Sequence, residues 1–574
     1  MNKFTLGLNA RPQARNSVCK RRWAHYVILG ALAVSPIMAQ QLPGFALPTD
    51  WPVFGQNVAN TASSMDTTIS ATNVQNLKPK WTFTTGGDVS ARAAIVNGVA
   101  YFPDWAGNLW AVDVQKGKSI WSHQLSDYGL TAGTVSRTSP TVANGIVYLG
   151  TQYTPTGKTG WLLAIDAASG SLLWKVQPDT SNPFPVITGS PVVSFGIVYV
   201  GMTSHEEYAA SDPTYACCSA RGSVVAIDAF FGIKLWQTFT VPVGYSGGNA
   251  WGSNPVVDLL RGIVIVGTGN NYSVPNDLAY IICMAKPGAT QAACLSPDDH
   301  VDSIVAFDMF TGKIRWATRL MTWGQATTQG VADGTDFWNT SCSAFIPGSS
   351  TKNCPNINTV APNKIPAGPD YDFGSDPNEI TYQTASGPKT IIGAGQKSGI
   401  YYALDPDTGA ELWHTQVGPG SSLGGMEWGQ ASDGKRIYVS IADFYGIPYG
   451  SKGSINAGSW SALDPATGAI LWQVADPNSA VDLGPLAISN GVLFVPSMGS
   501  QSPYAASGST TAPTMLALNA ATGKTLWQFS SGASVIAGAS IVDGVVYWGS
   551  GYGHLGLPGF SASKKFYAFS LNGK

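Results

Sequence analysis

Apolar and polar positions follow one recurring pattern along this chain: two or three apolar residues, Ala-x-Asp, a turn with Gly, then Trp. The pattern reads LWAVDVQKGKSIW to Trp121, LLAIDAASGSLLW to Trp174, VVAIDAFFGIKLW to Trp236 and IVAFDMFTGKIRW to Trp316. It continues as YYALDPDTGAELW to Trp413, WSALDPATGAILW to Trp472 and MLALNAATGKTLW to Trp527. Each copy predicts a β-hairpin, with a tight Asp-to-Gly turn and a second strand that carries the aromatic. A second pair of apolar strands lies between copies, as in SPTVANGIVYLG from Ser139 and GPLAISNGVLFVP from Gly484. Four strands per repeat predict a propeller blade.

Seven copies are complete and an eighth is split between the chain ends. Trp81, in LKPKWTF, has no Ala-x-Asp before it, and FYAFSLNG from Phe566 has no Trp after it. Joining the halves closes a ring and removes an exposed sheet edge. The expectation is all-β: an eight-bladed β-propeller closed by pairing of the N- and C-terminal strands. One domain then spans residues 40–574, although 574 residues would otherwise suggest about four domains. The marker tryptophans are 40, 53, 62, 80, 97, 59 and 55 residues apart, so the surplus chain lies between Trp174 and Trp413. Insertions there predict a wall on one face, where a rigid scaffold carries its site.

Composition narrows the function. Only 11% of residues are charged and the formal net charge is −2, which gives nucleic acid no electrostatic footprint. With 44% hydrophobic residues and 19 Trp, disorder is excluded as well.

The first 39 residues read as a secretory signal: Lys20, Arg21 and Arg22, an apolar stretch from Trp23 to Ile37, then Ala39. A membrane anchor is the alternative, but that stretch is shorter than the ~20 residues a span needs. No later stretch is long and apolar enough to cross a bilayer. The expected location is periplasmic or secreted. Cys19 leaves with the signal, and Cys217, Cys218, Cys283, Cys294, Cys342 and Cys354 remain. Proximity favours pairing Cys283 with Cys294 and Cys342 with Cys354, leaving Cys217 for its neighbour Cys218. Two free thiols at 217 and 218 are the alternative.

In a propeller the innermost strand of each blade begins beside the axis. Arg92, Arg137, Thr188, Trp251, the stretch Asp370 to Asp372, and Trp428 open successive blades, and Gly-rich starts near Gly484 and Gly538 complete the ring. Cations, a hydroxyl, aromatic faces and carboxylates on one axis suit a flat, anionic, hydrogen-bonding ligand. Packing of a closed channel is the plainer reading of any one of them.

The blade repeat, with eight copies, resembles the quinoprotein alcohol dehydrogenases that bind pyrroloquinoline quinone (PQQ). Local motifs strengthen the resemblance. ITGSPVVSFGIVYVGMTSHEE is similar to the family segment with a quinone-binding Thr and a metal-binding Glu, here Thr188 and Glu206, with Glu207 a near rival. GTGN implies the metal ligand Asn270, WGSNPVVD the stacking aromatic Trp251, GQKSGIYYALD the cation Lys397, and SRTSPTV the carboxylate partner Arg137. PDYDFGSDP stands where the family carries its catalytic Asp, with Asp370 and Asp372 both candidates. A second carboxylate two residues on also resembles the lanthanide-using branch, so the implied metal is Ca²⁺ or a lanthanide. Asp370 and Asp372 join its implied ligands. Adjacent cysteines are a family feature over the quinone, which implies a cofactor role for Cys217 and Cys218. Their position in YACCSARGSVVAID looks more like the polyvinyl-alcohol dehydrogenase branch.

The resemblance implies an alcohol substrate, oxidised to the carbonyl. Without Cys-x-x-Cys-His the chain has no haem motif, so electrons pass to a separate carrier such as cytochrome c. Tyr208, Tyr215, Trp323, Phe337 and Trp338 near the insertions favour a partly apolar alcohol, secondary or polymeric. A cofactor-free propeller that binds proteins, like the outer-membrane assembly lipoprotein, is the rival. It leaves Glu206, Asn270 and the paired Asp residues without a purpose.

Overall fold

In a computed structural model, every marker Trp is bonded to the following blade. The indole N–H of Trp121 donates to Ala167 O at 3.0 Å, that of Trp174 to Ala229 O at 3.0 Å, and that of Trp236 to Met309 O at 3.1 Å. Trp316, Trp413 and Trp472 continue the series onto Pro406, Pro465 and Ala520. Trp527 donates to Leu77 O and Trp81 to Val114 O, so the series closes on itself. The acceptor lies in each case where the next blade turns or begins its outer strand. In seven of the eight contacts it is followed by a turn Gly that the indole covers. A Cβ at Gly170 would lie 2.8 Å from Trp121, and one at Gly232 2.8 Å from Trp174. Both glycines also have positive φ, 74° and 68°. A side chain there would be strained and obstructed at once.

Ala fills the remaining motif position because it lies opposite the Trp across the hairpin, as Ala164 does to Trp174 and Ala306 to Trp316. The Asp caps the turn: Asp166 Oδ1 accepts from Ser169 N at 2.8 Å, and Asp308 Oδ1 from Thr311 N at 2.9 Å. The repeat is thus a device for joining blade to blade.

The structure describes residues 47, 49–152, 160–210, 214–252, 254–289, 291–320, 370–421, 423–499, 512–555 and 559–574. All lie in the unit Pro43–Lys574. Eight sheets follow in chain order, each built on four antiparallel strands from axis to rim. The first is Ala94–Val96, Val99–Pro103, Asn108–Asp113 and Lys118–Gln124. The last is composite. Ser540–Val542, Val545–Ser550 and Lys565–Leu571 take Leu77–Thr84 as their outer strand, with Ala568 opposite Trp81. The expected closure from both chain ends is present.

One element was not legible in the repeat. Residues 51–64 visit the innermost strands in blade order. Trp51 exchanges both backbone bonds with Ile95, Pro52 O accepts from Val142 N, and Val53 packs with Val192. Carbonyls of Val58, Ala59, Thr61 and Ala62 then accept from Val257, Glu379, Ser432 and Ile488, and Ser64 Oγ reaches Ile541 O. This segment ties all eight inner strands together.

Arg92, expected at the channel mouth, is used by this segment. Its guanidinium donates to Phe54 O, Pro485 O and Leu486 O, and lies 5.1 Å and 4.8 Å from the ring centres of Trp51 and Phe54. A Cβ at Gly538 would fall 2.2 Å from its Nη2, so the Gly-rich start of the eighth blade makes room for it.

Candidate active site

The fifth blade brings in Lys397. Its strand Gly387–Gly395 ends in a turn whose Gly399 has φ 79° and passes so close to Gly418 that a Cβ would lie 2.1 Å from the Gly418 carbonyl oxygen. Lys397 Nζ then sits 3.0 Å from Asp370 Oδ2 and 3.1 Å from Asp372 Oδ2, with all three residues buried. Asp372 is the most constrained of the three. Its Oδ1 accepts from Asn270 N at 2.7 Å, and its Oδ2 also accepts from Trp251 Nε1 at 2.7 Å. Gly269 of the GTGN turn is needed for this approach, since a Cβ there would lie 2.6 Å from Asp372 Oδ1. Three residues named from separate motifs, Asn270, Trp251 and Lys397, therefore converge on the Asp372 carboxylate.

Two cation–aromatic pairs stand side by side. Lys397 Nζ is 4.9 Å from the Trp251 ring centre, and Arg137 Cζ is 4.0 Å from that of Trp428. The two indoles meet edge to face, 5.5 Å apart at 81°. Trp428 has φ 63°, a strained conformation for a bulky residue, and its N–H donates to Gly374 O. Thr188 donates to the Trp251 carbonyl at 2.5 Å, so it fixes that residue's backbone. A cavity beside these pairs is lined by Arg137, Thr188, Trp428 and Tyr552, with Phe54 from the inner segment and the Arg92 that bonds it. This set fits a planar, polyanionic quinone: two cations, two aromatic surfaces and a polar wall.

Glu206 begins the short helix Glu206–Ala209 and is fully buried. Its Oε1 accepts from Tyr215 OH at 2.7 Å and Ser219 N at 2.8 Å, and its Oε2 from Ala220 N at 2.6 Å. Cys217 and Cys218, joined by a disulfide, immediately precede Ser219 and so lead directly into this cradle. Tyr215, expected in the substrate wall, is instead a Glu206 ligand, and burial followed by that carboxylate raises its phenol above the usual range. The second expected disulfide, Cys283–Cys294, links the helices Leu278–Met284 and Gln291–Cys294. Cys342, Cys354, Trp323, Phe337, Trp338 and the side chains of Glu207 and Tyr208 lie outside the described residues.

The metal set is incomplete by acids alone. Among the described residues no three His, Cys, Asp or Glu side chains form a metal-binding group. Asn270 leaves its Nδ2 buried without a hydrogen bond; that N–H₂ group is a donor, so only the Oδ1 of this residue could ligate a cation. A hard cation accepts mixed amide and carboxylate oxygens.

Two site residues were missed in the sequence. Glu427 precedes Trp428 in GGMEWG and keeps only 8% of its surface exposed. Burial pushes its carboxyl up to about 7, against the opposing pull of Lys397 and Arg137. Tyr552 receives Arg137 Nη2 at 3.4 Å. It leads to His554, which is stacked on Trp105 and has its Nδ1 3.2 Å from Asp88 Oδ2. A carboxyl beside a channel Trp was a signal that could have exposed Glu427. Tyr552 lies beyond the blade motif and gave none.

Comparison with known proteins agrees with the geometry. The family model described as outer membrane protein assembly factor BamB matches residues 36–200 and 456–562. A polyvinylalcohol dehydrogenase of Sphingopyxis sp. (strain 113P3) is 28% identical over 571 residues, covering 90% of this chain and 76% of the relative. A quinohemoprotein alcohol dehydrogenase of Comamonas testosteroni is 25% identical and covers 88% and 73%. The crystal structure of a Comamonas testosteroni quinohemoprotein alcohol dehydrogenase superposes with TM-score 0.62 at 20% identity, over 92% of this chain and 81% of that one. This last likeness concerns the fold.

Proposed function

Because this chain belongs to the quinoprotein alcohol dehydrogenases, we propose that it oxidises a secondary or polymeric alcohol to the carbonyl with PQQ. Electrons leave to a separate carrier such as a cytochrome c, in the periplasm or outside the cell. The observation that carries this reading is the pair of cation–aromatic contacts, Lys397 with Trp251 and Arg137 with Trp428, beside the paired carboxylates.

Bound there, the quinone supplies the two-electron oxidant. Arg137 would pair with one of its carboxylates, and Trp251 and Trp428 would hold its plane. Lys397, charged and fixed by Asp370 and Asp372, favours negative charge developing on the ring oxygens. Glu206, Asn270 and Asp372 would be the oxygen donors for Ca²⁺ or a lanthanide. Such an ion would act as a Lewis acid on a carbonyl. For Glu206 to join them, its carboxylate must turn part of its bonding away from Tyr215 and Ser219. The proton of the alcohol goes to a site carboxylate, and the sequence motif offers Asp370 and Asp372 for that role.

Reconstitution tests the reading. Cofactor-free protein should gain dye-linked alcohol oxidation on addition of PQQ with Ca²⁺. Full activity in quinone-free protein overturns it, as does a protein that quinone and metal never activate.

A further inference from the structure

Tyr552 reaches the axial cavity from outside the blade motif. It lies in the connection between two strands of the eighth blade, Val545–Ser550 and Lys565–Leu571. Asp88, itself buried, gathers both sides of that connection: its Oδ2 accepts from His554 N at 3.0 Å and its Oδ1 from Ser563 N at 2.8 Å. Gly551 has φ 103°, and a Cβ there would fall 2.3 Å from Asp88 Oδ1, so the chain leaves its strand by a path that glycine alone permits. Tyr552 N then donates to Ser561 O at 2.9 Å.

The ring of Tyr552 is equally fixed. It belongs to one apolar cluster with Phe444, Leu483, Met498 and Ile536, against which Trp428 packs. It also stands edge to face with His554, 4.8 Å between ring centres at 89°. Phe would fill that place as well, so the hydroxyl has to be explained by what it meets. It lines the same cavity as Arg137, Thr188 and Trp428. Its oxygen accepts from Arg137 Nη2 at 3.4 Å, a long contact, and among the described residues no group accepts the phenol's own proton. A buried O–H without an acceptor is costly unless a ligand supplies one. Burial lifts the phenol above its ordinary range although Arg137 pulls the other way, so the group stays a neutral donor. A carboxylate can accept from a guanidinium and a phenol together.

We propose that Tyr552 donates a hydrogen bond to a quinone carboxylate that Arg137 also holds. The inference rests on the quinone-dependent reading of the site. Arg137, spread over Trp428, supplies the charge, and Tyr552 supplies a neutral donor whose direction packing has already set. The Arg137 N–H on the phenol oxygen turns the O–H away from Arg137 and toward the ligand. Because both donors are in place beforehand, little ordering is lost when the cofactor enters. The eighth blade therefore takes part in recognising the quinone through a residue that its repeat does not specify.

Tyr552→Phe tests this, since it removes the oxygen and keeps the ring in its cluster. Quinone binding is read by quenching of tryptophan fluorescence when PQQ is added to cofactor-free protein, and folding by the urea midpoint. Tyr552→Phe should weaken PQQ binding about 10–100-fold, the range for one hydrogen bond to a charged group, with the midpoint unchanged. Arg137→Gln should weaken binding too. In that background Tyr552→Phe should cost less than it does alone, because the hydroxyl has lost the N–H that orients it. Unchanged affinity in Tyr552→Phe overturns the proposal. A loss accompanied by a lower urea midpoint overturns it as well, since packing then carries the effect, and so does strict additivity with Arg137→Gln. If the wild-type protein binds no PQQ at all, the quinone-dependent reading itself falls, and this proposal with it.

Discussion

Lys397 is bound to Asp372 at both ends: its backbone N–H donates to Asp372 O at 3.0 Å, and its Nζ lies 3.1 Å from Asp372 Oδ2. Backbone pairing sets the register between the 370–376 segment and the turn after Gly387–Gly395. The side-chain contact then fixes where the ammonium points. Trp251 joins through the same Oδ2, so cation, aromatic face and carboxylate move as one unit.

Removing the cation should therefore damage both fold and function. Lys397→Met leaves two buried carboxylates without their shared partner, a loss of about 3–5 kcal/mol where one member of a buried pair is deleted. Activity should fall about 10²–10³-fold, the usual cost of losing one electrostatic stabiliser. Urea denaturation and dye-linked turnover check the two parts. Unchanged stability would mean that the carboxylates are not held as the geometry indicates.

Arg92 should behave in the opposite way. Its donors satisfy three carbonyls of the inner segment and seventh blade, and hydrogen bonds to charged groups contribute about 1.5–3 kcal/mol each. Arg92→Leu should lower the urea midpoint strongly. The surviving folded protein should bind quinone with unchanged affinity, because Arg137 and Lys397 remain. Loss of quinone affinity without loss of stability would return Arg92 to the cofactor-binding set.

What the sequence revealed follows from what repeats. The Ala-x-Asp…Gly…Trp motif is a contact between neighbours, so each copy reports the same physics, and the split copy at Trp81 and Phe566 reported closure. The inner segment around Trp51 occurs once and bonds mainly through backbone, leaving no side-chain pattern to read. Lys397, Trp251, Asn270 and Asp372 were found because each lies in a local motif, although the convergence of the first three on the Asp372 carboxylate needed the fold. Glu427 was hidden by its neighbour. Trp428 drew attention as an aromatic, while nothing local showed that the preceding carboxyl is buried among cations.

The Glu206 cradle makes a separable claim about the metal. Glu206→Gln puts an amide where Ser219 N and Ala220 N now meet a carboxylate, so the metal concentration needed for half-maximal activity should rise at least tenfold, about 1.4 kcal/mol. Circular dichroism should still report a folded propeller. Reduction of Cys217–Cys218 loosens the residues just before Ser219 and should raise the same metal requirement. If reduction slows transfer to a protein acceptor and leaves the metal titration untouched, the disulfide serves electron passage instead. A Glu207→Gln enzyme that is dead beside a normal Glu206→Gln enzyme would shift the metal ligand by one residue. Lanthanide should be titrated against Ca²⁺ in each case, because Asp370 and Asp372 together bring two carboxylates to the site.

Substrate choice depends on the approach to this site. The chain is 28% identical to a polyvinylalcohol dehydrogenase over 90% of its length, and its surplus residues fall between Trp174 and Trp413. Among the described residues of that region, Tyr215 is committed to Glu206, and the Leu278–Met284 and Gln291–Cys294 helices are tied by Cys283–Cys294. With 11% charged residues in the chain, little there repels a neutral alcohol. Covering an alkyl group gains about 0.8 kcal/mol for each CH₂, so a longer alcohol should be preferred, and methanol has no such group to offer. In a kinetic panel, 2-butanol, 2,4-pentanediol and polyvinyl alcohol oligomers should each exceed methanol in kcat/KM by about tenfold or more, the gain expected from two covered CH₂ groups. The difference should sit mainly in KM, since contacts remote from the reacting carbon bind substrate and transition state alike. A methanol preference would overturn the substrate assignment and leave the quinone-dependent chemistry of Lys397, Trp251 and Arg137 in place.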